Sequence, residues 1–220
     1  MAKTIIIFFG PPGSGKGTQA EMLAAKTGFK KISTGDLFRA EIAAGTKLGQ
    51  AADKYLRAGK LVPDKITVGL VAKSLKHKAP GFIFDGFPRN KKQLNELLAI
   101  FKKTLKKNDR VYALEVAVGD REVKQRLGQR RMCACGKVYH LAYNPPINAG
   151  VCDICGAKLF TRNDDKPKVI AHRLKVYRHE GEPLLDYFKK QSKLLKIDGE
   201  RAIKVIQAEI LAKLKALSLL

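Results

Sequence analysis

The chain has 220 residues, 45% of them hydrophobic and 29% charged, enough to bury a sizeable core as one domain with smaller insertions. No apolar run approaches the ~20 residues of a membrane-spanning helix. The short apolar start runs straight into a glycine loop, which reads as a buried strand rather than a signal peptide and implies a cytoplasmic location. The formal net charge of +23 makes phosphates welcome, whether on nucleotides, nucleic acids or lipid headgroups. The 43 Lys+Arg are spread along the whole chain, which reads as a solvated, lysine-rich surface. Nucleic acid stays open as a partner, with no aromatic-rich RNA motif or zinc-finger helix to support it.

In chain order, Thr4–Phe9 is a continuous β-branched and aromatic run ending at Gly10, the pattern of a strand buried on both faces. Residues 16–26 read as a helix and 29–33 as a short second strand. Three helices are predicted over 36–44, 48–58 and 66–77, separated by Gly45, Gly59 and Pro63. Further strands are expected over 81–84 and 110–118, each followed by helical sequence, with a last strand at Leu194–Asp198 and an amphipathic helix over 200–219. Alternating strands and helices predict an α/β fold, a parallel sheet with helices on both faces. The stretch from about 130 to 166 breaks this rhythm with four cysteines and Pro145-Pro146, and reads as a small inserted subdomain.

Between the first strand and helix lies Gly10-Pro-Pro-Gly-Ser-Gly-Lys-Gly-Thr18, a phosphate loop in its proper context. Gly13, Gly15 and Gly17 let the backbone aim N–H groups at phosphate oxygens around Ser14, the helix N-terminus adds partial positive charge, and Lys16 adds a full one. The hydroxyl that ordinarily follows the lysine is displaced: Gly17 stands there and Thr18 comes one later. This loop resembles the GxxGxGKGTQ loop of the adenylate kinase family, and the resemblance extends over essentially the full chain. It implies a P-loop nucleoside-phosphate kinase fold with a five-stranded parallel sheet, Mg²⁺-dependent phosphoryl transfer between ATP and AMP to give ADP, and a monomer. It divides the chain into a core at 1–32, 63–129 and 167–220, an AMP-binding flap at 33–62 and a lid at 130–166. A kinase of another nucleoside monophosphate, or a basic nucleic-acid-associated ATP-binding protein on the same fold, are the alternatives.

On the acceptor side, Thr34 offers a hydroxyl, Asp36 a helix cap with Ser33 or Thr34 as rivals, and Arg39 a grip one turn into the helix. The resemblance places AMP against backbone groups of Lys60, Leu61 and Val62, and against Gly86, Phe87 and Pro88 in the segment Asp85-Gly-Phe-Pro-Arg89. Asp85 ends an apolar strand, where a carboxylate can organise the magnesium hydration shell, and Arg89 can take the AMP phosphate bidentately. Gln93 can pair with a base edge, and Thr34 with Gln93 favours adenine. Phosphoryl transfer needs converging cations more than a tuned base. Arg126 and Arg130, one helical turn apart, are expected on one helix face. By resemblance they contact ATP, Arg162 and Arg173 clamp the phosphates from the AMP side, and Asp164 and Asp165 orient these arginines. Val138 and Tyr139 correspond to positions near the ATP ribose, and Arg201 to a backbone contact with adenine.

Cys133 and Cys135 form a C-x-C pair, Cys152 and Cys155 a C-x2-C pair sixteen residues on. In the resembling family the lid carries zinc between two C-x2-C pairs, so the first pair is one residue short. Two cysteines on one face of an extended strand could still chelate, and four thiolates suit a structural, tetrahedral Zn²⁺. Disulfides, another thiophilic metal and an empty site stay open. His140 reads as a hydrogen-bonding residue rather than a ligand.

Overall fold

The computed structural model describes residues 2–76 and 78–220; His77, the last position of the helix predicted over 66–77, lies outside the described residues. The strands in chain order are β1 (Thr4–Phe9), β2 (Lys30–Ser33), β3 (Gly81–Asp85), β4 (Arg110–Ala117), the short β5 (Arg130–Met132) and β6 (Val138–His140), and β7 (Leu194–Asp198). β5 and β6 pair as a separate antiparallel ribbon, while the others form a parallel five-stranded sheet in the order β2-β3-β1-β4-β7. β1 is buried along its whole length, as its unbroken apolar run requires in a sheet covered on both faces.

One face packs α4 (Asp64–Ser74), α5 (Lys91–Thr104) and α8 (Leu184–Lys190) against Ile5, Ile7 and Phe9. The other packs α1 (Lys16–Thr27) and α9 (Ile203–Ala216) against Ile6 and Phe8. Alternate residues of β1 therefore anchor the two layers, each large side chain worth about 1.5–3 kcal/mol of burial. Strand order turns back at β1, with β3 and β2 on one side and β4 and β7 on the other. The loop after β1 thus opens on the crevice where such sheets bind ligands.

Two further units stand on this core. α2 (Thr34–Ala43) and α3 (Lys47–Arg57) make a helical pair with its own small apolar cluster of Phe38, Ala52 and Val62. Ser33 settles the rivalry for the α2 cap, its Oγ accepting from the Asp36 N–H at 3.3 Å, so the helix starts two residues before the predicted 36. Thr46 caps α3 in the same way through Gly49 N–H at 3.0 Å. The cysteine-bearing stretch follows α6 (Asp120–Gln129), holds the β5–β6 ribbon and returns through α7 (Pro167–Val176). Its interior is Cys133, Tyr139, Cys152 and Leu159.

Gly49 is where α3 crosses the end of α2: a Cβ there would lie 2.2 Å from the Glu41 carbonyl oxygen. Because the obstacle is backbone, Gly49→Ala is expected to push the helices apart and cost about 1–3 kcal/mol. A lowered thermal midpoint checks this; an unchanged midpoint contradicts it.

Candidate active site

The phosphate loop leaves β1 through Gly10, whose φ of +145° and contact with Val116 O (2.6 Å from a would-be Cβ) admit only glycine. Gly15, at φ +88°, starts α1 without any side-chain cap, and no acidic residue occupies the first turn. The leading N–H groups of α1 are therefore free for an anion. Ser14 Oγ is buried without a partner. Lys16 Nζ donates to Pro11 O at 3.1 Å. Burial pulls the Lys16 amine down to about 8; Asp85 opposes this, and Arg89, Arg173 and Arg130 add to it. The missing side chain at Gly17 has a spatial reason, since a Cβ there would lie 3.1 Å from Asp85 Oδ2. A side chain there would push the carboxylate back by a few tenths of an ångström.

β3 delivers Asp85 beside β1, with Ser33 Oγ donating to its Oδ2 at 3.4 Å. Beyond it, Gly86 O accepts from Thr34 Oγ1 at 2.8 Å and from Arg89 Nε at 2.7 Å. Gly86 also leaves space for the Arg89 guanidinium, which would stand 2.8 Å from a Cβ, and Gly35 does the same for Arg39 at 3.0 Å. Arg39 is paired with Asp36. Thr34, Phe38, Lys60, Leu61, Val62 and Gln93 line a crevice with Arg89 at its end. Phe87 packs into the core beneath, ahead of Pro88.

Gln93 is buried, its Oε1 accepting from Arg89 N–H and its Nε2 donating to Asp64 Oδ1, both at 2.8 Å. Asp64 Oδ1 also accepts from Asn90 Nδ2 at 3.0 Å, and Asn90 in turn caps α5. A carboxamide has two N–H groups and two lone pairs, so one of each remains for a ligand. Sequence reasoning passed over Asp64 because an Asp opening a helix after Pro63 reads as a cap. Its partner lies 29 residues away, and no local pattern marks that.

Arg126 and Arg130 do not share a helix face. α6 ends at Gln129 and Arg130 is extended (φ −72°, ψ 138°), already in β5, so the two diverge. Arg126 bonds Glu122 at 2.6 Å and Gly199 O at 2.8 Å and lies 5.6 Å over the Tyr143 ring. Arg130 grips the fully buried Asp165 carboxylate bidentately, at 2.8 and 2.5 Å. Arg173 reaches Asp164 at 3.0 Å and Asp165 at 3.2 Å. Burial alone would raise the Asp164 carboxyl, but Arg173, Arg130 and Arg162 outweigh it and hold it low. The Arg162 Nε lies on the Met132 sulfur; burial first, then Arg130 and Arg39, bring its guanidinium down to about 9. Arg89 is lowered to about 10 by burial and by Arg173. Lys16, Asp85, Arg89, Arg130 and Arg173 thus act on one another across a single space, with Arg39 and Arg162 at its margin.

The Arg201 side chain is exposed and pairs with Glu209 and Asp198. The Tyr139 side chain turns inward, its hydroxyl 3.4 Å from Cys152 Sγ and 2.8 Å from Asp153 N, while Val138 is exposed. His140 is a hydrogen-bonding residue, Nδ1 accepting from Ala142 and Tyr143 N–H groups at 3.1 Å.

The cysteine sulfurs all lie within 4.8 Å of one another. Cys133 and Cys155 are 3.3 Å apart, Cys135 and Cys152 3.6 Å. Tetrahedral zinc with ~2.3 Å bonds needs sulfurs about 3.8 Å apart, so the cluster fits that ion. The first pair is not on an extended strand, as its spacing suggested. Cys133 follows β5, and 133–137 form a turn in which Gly136 N–H donates to Cys133 O at 3.0 Å and Gly136 takes φ +93°. The second pair turns alike, Gly156 N–H donating to Cys152 O with φ +70°. Both turns bend their sulfurs to one point, and the first does so with one residue fewer.

An uncapped helix behind a glycine loop, a carboxylate beside it and arginines converging beside a polar crevice define a P-loop kinase acting between two nucleotides. Comparison with known proteins narrows this. The adenylate kinase family model matches residues 8–193. An adenylate kinase of Methanosarcina barkeri is 46% identical over 212 residues, covering 96% of this chain and 98% of the relative. Adenylate kinases of Methanothrix thermoacetophila and Archaeoglobus fulgidus are 45% and 44% identical, covering 93% and 96% of this chain and 95% and 97% of their own. The chain belongs to the adenylate kinase family, and it is a nucleoside monophosphate kinase.

Asp64→Ala removes the charged acceptor that orients Gln93 and Asn90, a bond class worth about 1.5–3 kcal/mol. The KM for AMP is expected to rise about tenfold or more with the KM for ATP unchanged; equal effects on both contradict the assignment. Lys16 generates a pH dependence. Its proton, which a triphosphate needs, leaves the free protein as pH rises through about 8, so kcat/KM for ATP falls above that value. A bound phosphate restores the charge, so kcat stays level. The stability contribution has the opposite sign: between about 8 and the ordinary 10.5 the folded state binds fewer protons than the unfolded, so stability from this group rises with pH. A pH profile of kcat/KM flat to pH 9.5 contradicts the Lys16 assignment.

Proposed function

We propose that the chain catalyses ATP + AMP ⇌ 2 ADP in the crevice above β1 and β3, with ATP arriving as its Mg²⁺ complex. The γ-phosphorus bonds to an oxygen of the AMP phosphate as its bond to the β,γ-bridging oxygen breaks. The incoming and outgoing groups are both phosphates, so no proton has to move and no general base is required.

Residue roles follow from position. The loop N–H groups from Gly13 to Thr18 and Lys16 hold the triphosphate, and Arg126 and Arg130 carry its outer charge. Asp85 orders the magnesium hydration shell. Arg39, Arg89, Arg162 and Arg173 receive the AMP phosphate. Thr34 and Gln93 read the adenine edge, and the backbone of Lys60, Leu61 and Val62 walls that side. Asp164 and Asp165 hold the arginines until phosphates arrive. Val138, Tyr139 through its backbone, and the backbone of Arg201 border ATP. Residues 33–62 then act as the AMP flap and 130–166 as a lid, closing on the core to exclude water that would otherwise hydrolyse ATP.

Cys133, Cys135, Cys152 and Cys155 would hold Zn²⁺. A tetrathiolate ion has no open position, so it supplies structure to the lid and no chemistry to the reaction. Closely spaced cysteines in a metal-like cluster also support a reducing, cytoplasmic setting. Among the described residues no helix is long and apolar enough to cross a membrane. A monomer is the expected state.

The observation that carries the reading is the pairing of the phosphate loop with Asp64-oriented Gln93 and Arg89, an acceptor site that a plain ATPase would not need. A coupled ADP-formation assay with ATP, Mg²⁺ and AMP, CMP, UMP or GMP tests it, with zinc measured on the same sample. AMP is expected to be preferred at about one zinc per chain, and Arg89→Ala to lose nearly all transfer. Preference for another monophosphate overturns the specificity. Four titratable thiols with less than half an equivalent of metal overturn the zinc assignment.

A further inference from the structure

In this parallel sheet the C-termini of α1, α4, α5, α8 and α9 arrive at the edge where the strands begin, opposite the nucleotide crevice. Register and contacts fix that edge. Thr4 pairs with both Gly81 and Arg110, Ala113 N–H donates to Lys193 O, and Thr4 Oγ1 donates to Leu219 O. Exposed lysines crowd it. Lys102 and Lys103 close α5, with Lys106 and Lys107 just beyond. Lys73 sits in the last turn of α4 with Lys76 and Lys78 just beyond it, and Lys189 and Lys190 end α8. These three helices pack on the same sheet face, so their C-terminal lysines come to the same end of that face.

Across the segments 24–30, 71–82, 101–110, 187–194 and 211–220 the only acidic side chain is Asp109. Its two oxygens are already taken, by the N–H groups of Lys3 at 2.7 Å and Lys106 at 2.9 Å. A cation in the last turn suits a helix dipole, but Lys76, Lys78, Lys106 and Lys107 lie outside the helices, and crowding like charges there opposes folding. Nine of the 43 Lys+Arg thus gather at one edge of the fold, a local cluster within a surface that is basic along the whole chain.

The geometry points to a binding face for the phosphate backbone of duplex nucleic acid, without base selectivity. Charge is all the face offers, and non-specific duplex binding needs only charge. Stable membrane docking takes a second, apolar signal, and Leu220 is the one large exposed apolar side chain there among the described residues. An exposed aromatic for stacking single-stranded bases is likewise absent from that face among the described residues. The inference goes beyond the kinase reading and does not rest on it: an occupant here would leave the crevice open.

The test is fluorescence anisotropy of a labelled DNA duplex of about 20 base pairs with the whole protein, ATP, Mg²⁺ and AMP kept saturating so that the arginine-lined crevice is filled. Affinity is expected to fall on the order of 100-fold or more between about 50 and about 200 mM salt. The variant K102E/K103E/K106E/K107E should bind at least tenfold more weakly with ADP formation unchanged and the thermal midpoint not lowered. K189E/K190E serves should the fourfold variant fold poorly. Binding lost on adding the nucleotides, or indifferent to both variants, overturns the proposal. So does tighter capture by phosphatidylserine–phosphatidylcholine vesicles than by the duplex at equal salt.

Discussion

Positive charge held close together without an anion to neutralise it is the constraint on which the rest of this structure depends. Lys16, Arg89, Arg162 and Arg173 are all pushed below their ordinary pKa, by burial first and by neighbouring arginines next. Only Asp85, Asp164 and Asp165 offset them within the site. Asp165, buried and shared between Arg130 and Arg173, is the hub: without it two guanidinium groups would face each other across a partly desolvated space. The arrangement is tolerable because arginine stays charged and its planar fork can exchange a carboxylate for a phosphate. Two nucleotides in line supply the missing anions, and the same charge then stabilises the transferring phosphoryl group.

Glycine placement makes that crowding geometrically feasible. Gly17 clears room for Asp85, Gly86 for Arg89 and Gly35 for Arg39. These glycines give room, and Gly86 also takes a positive φ, so a charged group can stand over each one. The cysteine-bearing stretch solves a different problem. Its interior is too small to hold together on apolar burial, consisting of little beyond two cysteines, Tyr139 and Leu159. Four sulfurs focused by two glycine-assisted turns provide a metal-sized centre instead. Tyr139 belongs to that centre, its hydroxyl against Cys152 drawing the thiol toward its charged form.

The two basic regions differ in kind. Above the sheet stand mainly arginines, most of them hydrogen-bonded to a carboxylate or carbonyl, suited to bidentate recognition of particular phosphates. Below it stand lysines on helix ends and loops, exposed and almost without acidic neighbours, suited to diffuse attraction. One parallel topology separates them, since it sends strand C-termini to one edge and helix C-termini to the other.

By itself the sequence determined the α/β class, every strand of the main sheet within a residue or two, the phosphate loop, the acceptor motif and the candidate metal ligands. These are local patterns: apolar runs, glycines at fixed offsets, cysteines in pairs. It misplaced Arg130 because a helix period projected past Gln129 ignores where the chain turns to enter β5. It placed the first cysteine pair on an extended strand, although a glycine turn does the focusing. Asp64 behind Gln93, the inward Tyr139 side chain and the gathering of the lysines on one face were decided only by tertiary structure. Each depends on residues far apart in the chain meeting in space, and no spacing along one segment encodes that meeting.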